Sequence, residues 1–252
     1  MITSDEGDGE TRPLWLSDGP ATARLWSRLR AEHAASGLWP LLLDCLALDD
    51  TAFRPWASGE LSPEGMSSPA EHDPQEVLAR WWQESTATGG EGDQLSAAER
   101  LAVTAPFGRT WPGLSPALAP STDPDKLAEQ YALVFQSLNP HVRLGLVAAP
   151  GGAEALTAVG WTGPVNHHDD TAAVSAVVRD WEGRFGVRVV GVGFSTLHLS
   201  VAAPPRRREE ALAVAAEHFA FCPDTVWQGA HRDLSAYADA LVDLDCWTFW
   251  WD

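Results

Sequence analysis

The chain is short of positive charge: 17 lysines and arginines stand against 35 aspartates and glutamates, a formal net charge of -18 over 252 residues. That balance opposes binding to nucleic acid or to an anionic membrane, both of which call for a basic footprint. The one basic cluster, Arg206, Arg207 and Arg208, runs straight into Glu209 and Glu210 and reads as a solvated helix start. Cysteine is also scarce. Three residues, Cys45, Cys222 and Cys246, are too few and too widely spaced for a disulfide scaffold, and they suit a reducing, cytoplasmic setting. No apolar run reaches the roughly 18 residues of a membrane span. The opening MITSDEGDGE has neither the basic start nor the apolar stretch of a signal peptide.

The motifs that would name a reaction are missing as well. There is no H-E-x-x-H and no C-x-x-C. GVGFST, with glycines at 191 and 193, lacks the last glycine and the following helix of a dinucleotide loop. Gly151-Gly152 lack the lysine and hydroxyl of a phosphate loop, and Ser195 is not in a G-x-S-x-G setting. No cofactor or resident metal is expected on these grounds.

Apolar residues are plentiful: 45% of the chain is hydrophobic, ample for a sizeable core. Six of the 13 tryptophans lie after residue 160, and the chain closes in CWTFWWD. This ending reads as a strand, with Trp247, Phe249 and Trp251 alternating against Cys246, Thr248 and Trp250. Residues 1–12 are expected to be a disordered tail. Residues 13–122 form an N-terminal α/β region, with PLWL and LWPLLLDCL as strands around a helix carrying Leu25, Trp26 and Leu29. Segments 51–72 and 84–122, rich in Pro, Gly and Ser, read as irregular. Between them a helix starts at Asp73-Pro74, its cap and first turn, and Trp81 and Trp82 fasten it to the body.

Residues 123–252 read as an α+β domain. Asp123-Pro124 opens a helix with Leu127, Tyr131, Val134, Phe135 and Leu138 at helical spacing. VRLGLVAAP is a strand, followed by a short helix to Val159. Val174, Val177, Val178, Trp181 and Phe185 share one helical face, with Asp169 or Asp170 as cap and Gly186 as terminator. VRVVGVG and TLHLSVA make an antiparallel hairpin, the second strand half covered, with Thr196, His198 and Ser200 on its solvated side. Leu212, Ala215, Ala216 and Phe219, then Leu234, Tyr237, Ala238 and Leu241, mark two more helices. A mixed sheet with its helices on one face buries these stripes, and a ferredoxin-like arrangement is one solution.

Four stretches carry a family likeness: VGWTGPVNH at 159–167, VVRDWEGRFG at 177–186, AAPPRRREEALAVAAEHFAFCPD at 202–224 and the terminal CWTFWWD. In this order they resemble DUF4253, a bacterial domain of unknown function common in actinomycete proteins, over about residues 141–252. RLRAEHAASGLWPLLLD looks like the region often joined upstream of it. The resemblance implies an intact C-terminal domain and no particular activity, substrate or cofactor.

Three constellations are chemically capable. His167, His168 and Asp169, beside Asn166 and Asp170, offer imidazole and carboxylate ligands or a helix-capping loop. His218, Cys222, Asp224 and His231 could hold a metal, activate a thiol or serve as core and turn residues. Trp227, Trp247, Trp250 and Trp251 could frame an aromatic binding surface or fill the core. Acidity, aromatic richness and the absence of a coherent catalytic motif favour a cytoplasmic binding or interaction protein, immunity or regulatory in role, with a basic protein partner. The alternative is a small-molecule enzyme, such as a metal-assisted hydrolase, built on the His/Cys/Asp groups.

Overall fold

The computed structural model describes residues 1–4, 11–47, 50–87 and 96–252. The first half of the chain runs β1 (Trp15–Pro20), α1 (Leu25–Ser36), β2 (Leu38–Leu43), α2 (Pro74–Thr86), α3 (Ala97–Val103) and α4 (Pro124–Leu138). Then come β3 (Arg143–Ala148), α5 (Gly152–Val159), α6 (Thr171–Phe185), β4 (Val187–Val192) and β5 (Thr196–Val201). The chain finishes with α7 (Arg208–Phe221), the single turn α8 (Asp224–Trp227), α9 (Leu234–Leu241) and β6 (Cys246–Trp250).

Short polar residues set the helix starts. Asp73 accepts the N–H groups of Gln75 and Glu76, and Asp123 those of Asp125 and Lys126, each followed by proline in the first turn. Asp170, not Asp169, caps α6 by accepting from Ala172 N. Gly186 ends α6 with φ 61°, in the left-handed region glycine enters without strain. Helix α3 lies in a stretch expected to be irregular. Ser96 and Glu99 form a reciprocal capping box that starts it.

Among the described residues six strands form one mixed sheet in the order β1-β3-β2-β4-β5-β6. β2 and β4 run parallel, pairing Leu42 with Gly191 and Leu43 with Val192, and every other neighbour is antiparallel. β2, from the N-terminal region, therefore lies between β3 and β4, and the boundary expected at 122/123 does not separate two sheets. The fold is α+β with a mixed sheet, and its strand order is not a ferredoxin-like one.

Helices cover both faces of the sheet, which corrects the one-face expectation. Leu41, Leu43, Val147, Val189 and Leu199 point into the larger core with residues of α2, α5, α6, α7 and α9. Leu42, Leu144 and Val190 point the other way, onto Trp26 of α1 and Ala128, Ala132 and Phe135 of α4. The side of β5 expected to be solvated is partly covered in the same way: Thr196 and His198 are half-buried, His198 packing on Phe135 with ring centroids 4.5 Å apart, and Ser200 is fully buried. On α4, Ala128, Ala132 and Phe135 meet the sheet. Val134 and Leu138, expected in its buried stripe, are 54% and 75% exposed.

The expected tail over 1–12 falls partly on residues 5–10, which lie outside the described residues; to either side Ile2 N donates to Leu14 O at 2.7 Å and Ser4 is buried. Among the described residues no helix is long and apolar enough to cross a membrane.

Candidate functional site

The loop before α6 is wound tightly enough that the backbone N–H groups of His167 and His168 both donate to Pro164 O, each at 2.8 Å. Adjacent imidazoles are thereby sent to different partners. His167 Nε2 lies 3.0 Å from Asp224 Oδ2, across 57 residues of chain. His168 stacks on Trp81 of α2, ring centroids 3.8 Å apart and planes at 23°, with Nε2 3.3 Å from Phe221 O.

These side chains wall a cleft of about 340 Å³ between α2, α3, the loop and α8. Trp81, Glu84, Arg100, His167, Asp224 and Trp227 line it. An adjoining recess of about 330 Å³ shares Trp81, Glu84 and both histidines, and adds His72, Arg80 and Asp169. The Arg100 guanidinium lies 5.3 Å from the centroid of the Trp227 ring, so the rim carries a cation over an aromatic face.

Asp224 is only 6% exposed. Burial alone would push its carboxyl up, but hydrogen bonds from His167, from the backbone N–H of Asp252 and from Gln228 Nε2 outweigh it and hold the group below the usual carboxylate range. It is thus a buried anion aimed at an imidazole. His168 is pushed down to about 4, chiefly by burial, and is a neutral ring at neutral pH.

The second sequence-derived constellation divides. Asp224 faces the cleft, whereas His218 and Cys222 are core residues. His218 is fully buried, with Nδ1 2.9 Å from Tyr237 Oη and its ring 4.3 Å from that of Trp247, and burial lowers it to about 3. The Cys222 thiol donates to Trp250 O at 3.0 Å and burial pushes it up to about 12, so it is protonated and unreactive. His231 lies against Tyr237, ring centroids 5.6 Å apart. The tryptophans divide too: Trp247 and Trp251 are each 1% exposed in the core, Trp227 lines the cleft, and Trp250 is 41% exposed.

Glu84 and Arg100 of the cleft were not singled out from the sequence, and Trp81 only as a core anchor. They reach the loop over more than 60 residues of chain, and no local pattern marks them. Nor does any spacing mark Asp44, Cys45 and His141, which the fold also draws together.

Residues 143–252 match the family model described as Domain of unknown function (DUF4253), so the resemblance read from the four stretches holds over that segment. The segment carries β3 to β6 and the His167–Asp224 pair, while β2, Trp81, Glu84 and Arg100 lie outside it. No curated protein and no solved structure matches the chain.

Proposed function

We propose that the chain is an enzyme acting on a small polar molecule by general acid–base catalysis, with His167 moving the proton and Asp224 orienting it. The observation that carries this reading is the 3.0 Å contact between His167 and a carboxylate that is 6% exposed, at the wall of a cleft. A buried anion held by two further donors fixes the ring's rotamer and tautomer and stabilises the imidazolium formed when the ring takes a proton. The same logic underlies imidazole–carboxylate pairs in hydrolases on unrelated folds.

The cleft sets the substrate class. At about 340 Å³ it is at the small end of ligand sites. Arg100 and Glu84 supply both signs of charge, and Trp81 and Trp227 supply flat apolar walls. A compact molecule with a planar or apolar part and a charged group fits that lining. Hydrolysis follows most directly: His167 deprotonates a water, which attacks an ester, amide or phosphoester carried by the substrate, and the imidazolium returns that proton to the alcohol or amine as its C–O, C–N or P–O bond breaks.

A panel of small polar esters, amides and phosphoesters tests this. Activity found on any of them is expected to fall by about 10²–10⁴ in His167→Gln and in Asp224→Asn, with thermal stability of the first variant nearly unchanged. Full activity in both variants refutes the assignment.

A second reading rests on a different surface. Trp250 at 41% exposure, Leu46 at 49% and Val165 at 56% line one open groove of a chain with net charge -18. An aromatic and acidic face of this kind suits a basic protein partner, in the cytoplasmic immunity or regulatory role expected from composition. A saturable basic partner whose affinity drops in Trp250→Ala would support it.

A further inference from the structure

Asp44 leaves the end of β2 with its backbone pinned on both sides: its N–H donates to Val192 O at 2.9 Å and its carbonyl accepts from Trp56 Nε1 at 2.6 Å. The antiparallel register of β2 with β3 sets Leu43 opposite Arg143. His141, two residues before Arg143 and in the turn after α4, is thereby carried to Asp44. Its Nε2 lies 2.7 Å from Asp44 Oδ1, with the two side chains 30% and 25% exposed. Cys45 follows directly, and its N–H donates to the same oxygen at 2.8 Å. One ligand atom from each of Asp44, Cys45 and His141 lies within 4.8 Å of the others.

We propose that Asp44, Cys45 and His141 form a binding site for a zinc-class divalent cation. The donor set decides the class. A thiolate disfavours magnesium and calcium, which take all-oxygen shells, while zinc and cobalt(II) accept oxygen, nitrogen and sulfur together. Three protein ligands leave a fourth tetrahedral position for water or a ligand atom.

The competing account is a plain His141–Asp44 hydrogen bond that ties the turn after α4 to the end of β2. It explains two of the three residues and leaves the thiol as a bystander donating to Ala47 O at 3.1 Å. The cation site uses all three. Seating an ion with bonds of about 2.0 Å to oxygen and nitrogen needs these two atoms roughly 3.3 Å apart, so the present contact opens by about half an ångström. Binding displaces the thiol proton to solvent, leaving the thiolate as ligand. Asp50 does not compete for the place: its two carboxylate oxygens accept from Ala52 N and Arg54 N. The site is distinct from the His167–Asp224 cleft, with which it shares no residue.

Cobalt(II) is the probe. The full chain, stripped with chelator and kept reduced by a phosphine, is titrated with Co²⁺ and followed by absorbance. A saturable thiolate-to-cobalt charge-transfer band at one equivalent, bleached by an equivalent of Zn²⁺, is expected. Cys45→Ser should abolish the band with the far-ultraviolet dichroism unchanged. His141→Gln should weaken binding at least about tenfold, and Cys246→Ser should leave the band as it was. No charge-transfer band at millimolar Co²⁺, or a band that survives Cys45→Ser, overturns the proposal.

Discussion

Glu217 of α7 is fully buried and accepts four hydrogen bonds: from Ser115 N at 2.7 Å, Trp181 Nε1 at 2.8 Å, and Arg184 Nη1 and Nη2 at 2.9 and 2.6 Å. It joins α7 to α6 and to the segment before α4, and α7 leads directly to Phe221 and Asp224 of the cleft. Glu217→Ala removes the acceptor of all four bonds. Arg184, whose side chain is 14% exposed, keeps Asp180 at 2.5 Å and Ser115 O at 2.9 Å, so its charge is only partly stranded. Breaking a buried ion pair from one side costs about 3–5 kcal/mol, and each orphaned buried donor about 1–3 kcal/mol. These contributions overlap where water enters the vacated space, and a net loss of about 4 kcal/mol is expected. For a chain of this length that lowers Tm by roughly 8–16 °C. Urea unfolding should show a reduced midpoint with an unchanged slope. Part of the loss is the cost of leaving Arg184 with one partner fewer, so Arg184→Met should recover some of it in the double variant, with a coupling of about 1–3 kcal/mol. A single-variant loss below about 1 kcal/mol, or a coupling near zero, would refute the view that this network clamps α6 to α7.

Glu182 is pushed up to about 7, chiefly by burial, with Glu154 adding and Arg188 and Arg30 opposing. The unfolded chain ionises this carboxyl from about pH 4.5, so stability falls as pH rises from there to about 7. Above it, Glu182→Gln should recover up to about 3 kcal/mol at pH 8 and nothing near pH 4, read from urea midpoints. His168 shows the opposite sign of slope. With a folded value of about 4 against 6.5 unfolded, it is neutral in the fold, and its contribution is lost as pH falls from 6.5 toward 4; in His168→Gln the fall over that window should be shallower, and an identical fall would show that the ring protonates without cost. Gly160 has φ 70°, and a Cβ there would lie 2.1 Å from Pro63 N and 2.4 Å from Ser62 C, both backbone atoms. Gly160→Ala should cost at least about 2 kcal/mol in chemical unfolding, whereas a loss under about 0.5 kcal/mol would mean that the 61–63 segment yields freely.

Local signals carried much of the element reading. Asp-Pro at 73–74 and at 123–124, Gly186 after Phe185, and the alternation in CWTFWW each place a boundary or a face by short-range chemistry, and the structure has helices and strands there. α3 was missed although its Ser96/Glu99 capping box is local, whereas the failures in the sheet share one cause, which is cover supplied from far along the chain. β2 is LWPLLL, apolar at successive positions, which is the composition of a strand covered on both sides. Its place between β3 and β4 is a pairing across about 100 and 150 residues that no window contains. Once α1 and α4 occupy the second face, Ser200 of an apparently half-solvated strand is enclosed and His198 half-buried. α4 achieves this with Ala128, Ala132 and Phe135, the alanines allowing close approach and the ring lying on His198, while Val134 and Leu138 stay outside.

The candidate site divides along the same line. His218 and Cys222 share a helical face, as their spacing of four implies, but α7 is apolar or small nearly all round from Val214 to Cys222, and a helix of that composition is sunk in a core. Shared spacing there produces shared burial instead of shared chemistry. His167 and Asp224 sit where regular structure ends, one in the turn before α6 and the other at the start of the single turn α8. At such ends side-chain direction is set by the turn and not by a helical or strand period, so no spacing rule could pair them. Asp44, Cys45 and His141 obey the same logic, gathered at the end of β2 and in the turn after α4 by sheet register. The His167–Asp224 pair and the Asp44, Cys45 and His141 group thus lie at element ends, while His218 and Cys222, which share an element's face, have been absorbed into the core.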